Sequence, residues 1–355
     1  MAKVLVAMSG GVDSSLVAQL LKDQGHTCIG ATMTLYSSEE EGRCGGRADV
    51  EDARALAKSL GMDHHVLNYE DDFGRQVIEP FIAAYERGWT PNPCLACNRH
   101  FKFGALYDLA KDLGCDYIAT GHYAQVVYNE DRGFYELKKG EDPKKDQSYV
   151  LYSLDQDKLA HTLFPLHGLS KDQVRDLAQA KGLLTANKKD SQDICFVRDG
   201  DYVAFMEAYG QRAYPQGDLL DEAGNKLGCH QGAVSYTIGQ RKGLGVALGY
   251  PAYVVDKDME KNQVVVGPES SLYSQSLLAE DWNWTSVDSL EEPIRAQVKT
   301  RYQQEESPAL VTPLGGGRVR IDFDQGQRAL AKGQAAVAYI GDVVLGGGLI
   351  SQVYK

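Results

Sequence analysis

Cysteine is the residue type through which this sequence can do sulfur or redox chemistry, and two of its seven cysteines form a CxxC pair. Cys94 and Cys97 stand in Pro91-Asn92-Pro93-Cys94-Leu95-Ala96-Cys97-Asn98. In a chain read as intracellular, such a pair is redox-active or metal-binding more often than structural. Prolines on its N-terminal side predict an ordered, exposed loop. A third cysteine, Cys195, lies in Asp190-Ser191-Gln192-Asp193-Ile194-Cys195-Phe196. Four thiolates would suggest structural zinc, but there is only one CxxC. Cys28, Cys44, Cys115 and Cys229 lack a comparable setting and read as small buried hydrophobes. Cys44 is set apart by its glycine-rich surroundings.

The second chemical feature is Ala7-Met8-Ser9-Gly10-Gly11-Val12-Asp13-Ser14-Ser15. It follows a strand and opens a helix. Glycine lets backbone N–H groups approach an anion, and a helix N-terminus favours negative charge. Ser9, Ser14 and Ser15 add hydroxyl donors, and Asp13 could hold a magnesium ion bridging phosphates. The loop lacks the lysine of GxxxxGK[ST], so γ-phosphoryl transfer is not its natural chemistry. A tight strand-to-helix turn with a serine cap is the plainer alternative.

The elements that must position these groups alternate in type through the first half. Lys3 to Met8 reads as a strand and Asp13 to Gln24 as a helix, with Leu16, Val17, Leu20 and Leu21 at helical spacing. Further strands are expected at Thr27 to Leu35, His64 to Leu67 and Asp116 to Ala119. Further helices are expected at Asp49 to Leu60, Phe73 to Arg87 and Phe103 to Leu113. Ser37 to Gly46, acidic and glycine-rich, reads as a mobile loop. Strand–helix repetition implies a parallel sheet covered on both faces.

After Lys189 the texture changes. One helix is expected between Asp201 and Tyr209. Short strand-like runs follow at Tyr253–Asp256, Gln263–Val266, Ile294–Val298, Arg318–Phe323, Ala335–Ile340 and Asp342–Ile350. They predict antiparallel sheet, closing into a small barrel at the end. The expected organisation is a catalytic domain at 1–197, a small mixed domain at 198–273 and a β-barrel-like domain at 274–355.

Composition bounds the function classes. The 355 residues are 43% hydrophobic and 24% charged, ordinary for a globular protein. Net charge is −12 and no segment is basic, which argues against indiscriminate nucleic-acid binding. No apolar run approaches the roughly 20 residues of a membrane helix. The chain enters strand-like sequence at once, leaving no room for a signal peptide, so a cytoplasmic protein with no membrane partner is expected.

SGGVDSS between a strand and a helix resembles the signature of the PP-loop ATP pyrophosphatases, whose fold is adenine nucleotide α-hydrolase-like. The match then becomes more specific. SGGVDSS, TPNPCLACNRHFKF, TGHYA, KKDQSYVLY, KKDSQDICF and SYTIGQRKGLG occur in this order. Together they resemble the tRNA-specific 2-thiouridylase family, across nearly the whole chain.

That resemblance implies ATP-dependent replacement of the uracil 2-oxygen of the tRNA wobble uridine by sulfur, in lysine, glutamate and glutamine acceptors. It implies ATP at Ala7, Met8, Ser9, Gly10, Gly11, Val12, Asp13, Ser14, Met33 and Gly121, with Mg2+. Cys195 would carry a persulfide, and Cys97 would be the nucleophile that closes a transient disulfide with it. Asn92, Pro93 and Cys94 would border the target base. Cys94 is a departure, because many relatives have aspartate there. His122, Lys145, Asp146, Gln147, Arg301, Tyr302 and Gln334 would contact the tRNA anticodon arm. A cysteine desulfurase or relay protein would donate the sulfur. The alternatives are a [4Fe-4S] cluster on Cys94, Cys97 and Cys195, or another PP-loop adenylating ligase.

Overall fold

Val4 and Val6 of the first strand face one hydrophobic cluster and Leu5 faces another, all fully buried. Alternation of this kind places a strand in a sheet covered on both sides. The strand, β1 (Lys3–Ala7), pairs in parallel with β2 (Thr27–Thr34) and β4 (Tyr117–Ala119). With β3 (Asp63–Asn68) and β7 (Thr162–Leu163) the order is β3-β2-β1-β4-β7. Structure is described for residues 1–36, 46–188, 194–197 and 200–355 of this computed structural model. The loop expected at Ser37–Gly46 falls outside them except for Gly46, as do Cys44 and residues 189–193.

Helix α1 (Val12–Asp23) packs Val12, Leu16, Val17 and Leu21 onto the sheet, beside α2 (Arg47–Ser59). The opposite face is covered by the helix Leu106–Asp112 through Leu106, Tyr107 and Ala110. Each large side chain so buried contributes roughly 1.5–3 kcal/mol. Strand order reverses between β1 and β4. The crevice beyond the C-terminal ends of such strands is where open α/β sheets bind ligands.

Two expected helices differ in form. The stretch read as Phe73–Arg87 is three segments, Glu70–Phe73, a π-helical Gly74–Ile78, and Glu79–Glu86. Pro80 lacks the N–H that would continue regular α-helical bonding. The stretch read as Phe103–Leu113 begins earlier, through π-helical Asn98–Ala105, with Phe103 bent to φ −111°.

Residues Gly217–Asp221 (β8), Lys226–His230 (β9), Tyr253–Asp258 (β10) and Gln263–Gly267 (β11) form a mixed sheet of order β10-β11-β8-β9. The last part is a closed antiparallel barrel. Its strands are β12 (Tyr273–Trp284), β13 (Ile294–Lys299), β14 (Ser307–Gly315), β15 (Arg318–Arg328), β16 (Ala335–Ile340) and β17 (Val343–Tyr354), and β12 pairs with β17 to close it. A hairpin from the first part, β5 (Ala124–Asn129) and β6 (Phe134–Lys139), extends the same sheet through Val343 and Lys138. Among the described residues no helix is long and apolar enough to cross a membrane.

Candidate active site

The chain leaves β1 at Ala7 and turns through the glycine loop. Met8 and Val12 are buried, so they offer a ligand only their backbone. The Met8 N–H donates to the Ala31 carbonyl at 2.8 Å, and Thr32 Oγ1 donates back to the Met8 carbonyl at 2.7 Å. Gly10 has φ +71°, and a Cβ there would lie 2.4 Å from the Asp49 carbonyl oxygen. Only glycine fits both conditions. Gly11 precedes α1, and its carbonyl accepts from Ser15 Oγ at 2.8 Å and Ser14 Oγ at 3.2 Å. Ser14 Oγ also accepts from the Ser9 N–H at 3.1 Å. Ser9 is exposed, with its Oγ 3.1 Å from Ser14 Oγ.

From the other side of the strand-order reversal comes Thr120-Gly121-His122-Tyr123. A Cβ on Gly121 would meet the Asp13 Cβ at 3.0 Å and the Ser14 nitrogen at 3.2 Å. Gly121 and the loop therefore form one wall. Met33, half-buried near the end of β2, packs against clusters on both sides.

Asp13 departs from expectation. Lys171 Nζ donates to both its carboxylate oxygens, at 2.7 and 2.8 Å, and Tyr123 Oη donates to Oδ1 at 2.9 Å. The carboxylate expected as a possible magnesium ligand is thus paired in this structure with an ammonium and a phenol. A second lysine, Lys188, donates to the Gly10 carbonyl at 3.0 Å, Asp49 at 2.6 Å and Asp52 at 2.7 Å.

The CxxC segment is helical, not the loop expected. Pro93–Cys97 forms a short helix, with proline at a position that needs no N–H partner. Asn92 caps it, its Oδ1 accepting from the Cys94 N–H at 3.0 Å. The approach is held by the barrel: the Thr90 N–H donates to the Lys332 carbonyl at 2.8 Å, and Gln334 Nε2 donates to the Thr90 carbonyl at 2.7 Å. Gln334, expected at the RNA, thus holds the strand of chain that leads to the cysteines.

Cys97 and Cys195 pack against the same cluster, which includes Phe73, Phe81, Phe101 and Phe196. Folding brings these two distant cysteines to one apolar wall. Cys97 carries a free thiol in this structure. Burial pushes the Cys97 pKa up to about 11, which favours the protonated thiol, while Lys102 opposes the shift. Cys94 is exposed in a recess whose surrounding protein also raises its pKa. Among the described residues, no group of three or more histidine, cysteine or acidic side chains is placed to hold a metal ion. Of the cysteines read as buried hydrophobes, Cys28 is buried, Cys115 half-buried and Cys229 exposed on β9.

His122 is buried between the rings of Phe103 and Phe164. Its Nδ1 lies 2.7 Å from Thr120 Oγ1 and its Nε2 lies 3.2 Å from Lys102 Nζ. Burial, then Lys102, holds its pKa well below the ordinary histidine value.

The other residues expected at RNA differ in burial and in the bonds they make. Lys145 is half-buried. Asp146 is buried, accepting from the Gly140 and Ser148 N–H groups and from Ser148 Oγ. Gln147 Oε1 accepts from the Tyr123 N–H at 3.0 Å. Arg301 donates to the Ala329 carbonyl at 2.6 Å and to the Ile238 carbonyl at 3.4 Å, joining barrel to middle sheet. Tyr302 packs beside Tyr149 and is close enough to Cys94 for its ionisation to respond to it. Asp146, Gln147, Arg301 and Gln334 therefore shape the surface through internal bonds.

Sequence reading missed Lys102, Tyr123 and Lys171. Tyr123 and Lys102 stand inside segments already singled out, TGHYA and the run after CxxC. Lys171 had no local signal.

The chain matches the description "tRNA methyl transferase HUP domain" over residues 2–199. It matches "tRNA methyl transferase PRC-barrel domain" over 203–268 and "Aminomethyltransferase beta-barrel domain" over 274–350. A tRNA-specific 2-thiouridylase of Clostridioides difficile is 47% identical over 354 residues, covering 99% of this chain and 98% of that protein. The chain belongs to the tRNA-specific 2-thiouridylase family. A second 2-thiouridylase, from Acetivibrio thermocellus, is 48% identical over 98% of this chain and 99% of its own length. Among solved structures, a U34-tRNA thiolase from Methanococcus maripaludis aligns with TM-score 0.36 and 19% identity, over 58% of this chain and 66% of its own. In this 2-thiouridylase family member, the PP-loop fold precedes a small mixed sheet and a closed antiparallel barrel.

Proposed function

We propose that the protein replaces the 2-oxygen of the tRNA wobble uridine by sulfur, using ATP with Mg2+ and a persulfide. One observation carries this reading. The short segment after β4 reaches both chemical centres: Tyr123 bonds Asp13 of the glycine loop, and the adjacent His122 bonds Lys102 beside the cysteines. A base activated at the loop is then within one contiguous site of the sulfur.

In this proposal the uracil 2-oxygen attacks the α-phosphorus of ATP and pyrophosphate leaves. Adenylation is needed because oxide is a poor leaving group, whereas AMP is a good one. The terminal sulfur of a Cys195 persulfide attacks C2, and AMP departs. The Cys97 thiolate attacks the Cys195 sulfur and breaks its bond to the transferred sulfur, which stays on the base. The products are 2-thiouridine and a Cys97–Cys195 disulfide; an external thiol reductant restores both thiols. Asn92, Pro93 and Cys94 border the base, which must leave its stack to enter. Lys145, Tyr302 and their neighbours meet the anticodon arm of lysine, glutamate and glutamine tRNAs, and a cysteine desulfurase or relay protein supplies the sulfur. Domains at 1–197, 198–273 and 274–355 divide this work into activation, bridging and docking. The chemistry suits a cytoplasmic enzyme.

The test is sulfur incorporation into unmodified tRNA with ATP, magnesium and a persulfide donor, in wild type beside Cys97→Ser, Cys195→Ser and Cys94→Ser. The reading expects 2-thiouridine from wild type and none from the first two variants. AMP formed with a small acid and no thiolated base would mean another PP-loop ligase.

A further inference from the structure

His64 of β3 lies opposite Gly30 of β2, and Val66 lies opposite Thr32. Residues two apart on a strand point the same way, so His64 and Thr32 share one face of the sheet. The imidazole crosses diagonally between the strands, and its Nε2 lies 2.9 Å from Thr32 Oγ1. Gly30 leaves the room for it. A Cβ there would meet His64 Cδ2 at 2.9 Å and Met8 Sδ at 2.6 Å.

The direction of these bonds follows from the protons each group holds. A carbonyl only accepts, so Thr32 Oγ1 gives its single proton to the Met8 carbonyl, at 2.7 Å. Toward His64 the hydroxyl is therefore the acceptor, and Nε2 carries a proton and donates it. Burial, then Arg54 of α2 and His65 of the same strand, lower the His64 pKa, in keeping with a neutral ring. The chain of bonds runs from His64 through Thr32 to Met8. Thr32 is 1% exposed and Met8 3% exposed.

The Met8 carbonyl and the Ser9 N–H belong to one planar peptide unit. Thr32 holds its oxygen side, and Ser14 Oγ accepts from its N–H side at 3.1 Å. That plane is the entrance to Ser9-Gly10-Gly11, whose backbone is what the loop offers an anion.

We propose that His64 is a positioning residue for the nucleotide: its Nε2–H sets the Thr32 hydroxyl, which together with Ser14 holds the Met8–Ser9 peptide plane. The proposal rests on the reading of the glycine loop as the ATP site. It adds a residue from β3, a strand that carries none of the residues expected at ATP. His64 acts through Thr32 and has no need to touch the nucleotide. A donor into Oγ1 fixes the rotation of the hydroxyl and polarises its own donation. Without it the plane loosens, and the phosphates meet donors that are less well preorganised.

The experiment is ATP binding with magnesium to the full-length protein, measured by titration calorimetry, with tRNA binding measured beside it and thermal unfolding as a check on folding. Wild type is compared with His64→Leu, His64→Gln, Thr32→Val and the double variant His64→Leu with Thr32→Val. The expected result for His64→Leu is ATP binding about fivefold weaker, the size of one lost hydrogen bond, with tRNA affinity unchanged. The amide of His64→Gln reaches about as far as Nε2 and should recover most of the loss. Thr32→Val keeps the shape and removes the hydroxyl, so it should bind ATP at least as weakly. Adding His64→Leu to it should then change nothing further, since both act through one hydroxyl. In wild type, NMR of the ring nitrogens should place the His64 proton on Nε2.

A folded His64→Leu that binds ATP like wild type would overturn the proposal. So would additive losses in the double variant, no recovery in His64→Gln, or a wild-type ring protonated on Nδ1 alone. Wild type that binds no ATP at all would reject the nucleotide site itself, and this role with it.

Discussion

Asp13 and Lys171, 158 residues apart, form an ion pair in which one ammonium serves both carboxylate oxygens. The Lys171 side chain is 10% exposed and that of Asp13 is 30% exposed. The pair ties the first turn of α1 to the start of the helix Lys171–Ala180. Breaking a fully buried pair costs about 3–5 kcal/mol, and the partial exposure of Asp13 brings the expected loss nearer 2 kcal/mol. Lys171→Met should lose that much in urea unfolding and raise the KM for ATP. Adding Asp13→Asn should recover stability without recovering activity.

Gly10→Ala strikes the loop itself. It forces a Cβ onto the Asp49 carbonyl and into positive φ, a strain of about 1–3 kcal/mol. Nucleotide binding, followed by titration calorimetry, should be lost. Gly121→Ala meets its neighbours at 3.0 Å and should weaken binding without abolishing it. Equal binding by Gly10→Ala and wild type would show that the loop does not cradle the phosphates.

Gln334→Ala removes the donor to the Thr90 carbonyl. A typical lost hydrogen bond costs about 1 kcal/mol. Because this bond steadies the approach to Asn92 and Cys97, sulfur transfer should slow while ATP affinity stays near wild type. A parallel fall in ATP affinity would mean that the barrel supports the whole catalytic region.

Stability should fall on the alkaline side. Burial raises the Cys97 pKa from 9.0 to about 11, and those of Tyr152 and Tyr302 from 10.0 to about 12. Between the ordinary and raised values the unfolded chain has released these protons and the folded chain has not. The unfolded state then binds fewer protons, so unfolding free energy decreases as pH rises. The loss begins near pH 9 for Cys97 and near pH 10 for the tyrosines. Urea midpoints from pH 7 to 11 measure it, and Cys97→Ser should remove the earliest part. A flat profile over that range would contradict the burial of these groups.

Much of the site was legible before folding because its determinants are local. Gly10 and Gly11 sit where a strand must turn into a helix, and the two-residue period of β1 reports burial on both faces. Asp13 was legible as a polar group of the loop but not as the partner of Lys171, because nothing near Lys171 marks it. The hairpin Ala124–Lys139 also escaped notice; its two strands pair with each other, and its place in the barrel sheet is set by Lys138 of β6 beside Val343 of β17, more than 200 residues away.

By itself, the sequence determined the glycine loop, the α/β alternation, the cysteine inventory and the resemblance that ties them to one family. Those depend on residue type, spacing and period, which act over a few neighbours. Only the tertiary structure decided that Cys97 and Cys195 share an apolar wall, that Asp13 is neutralised by Lys171, and that Lys102 stands on a neutral His122. Such relations arise from burial, which sets partners and ionisation by proximity in space, and the order of residues along the chain carries no record of it.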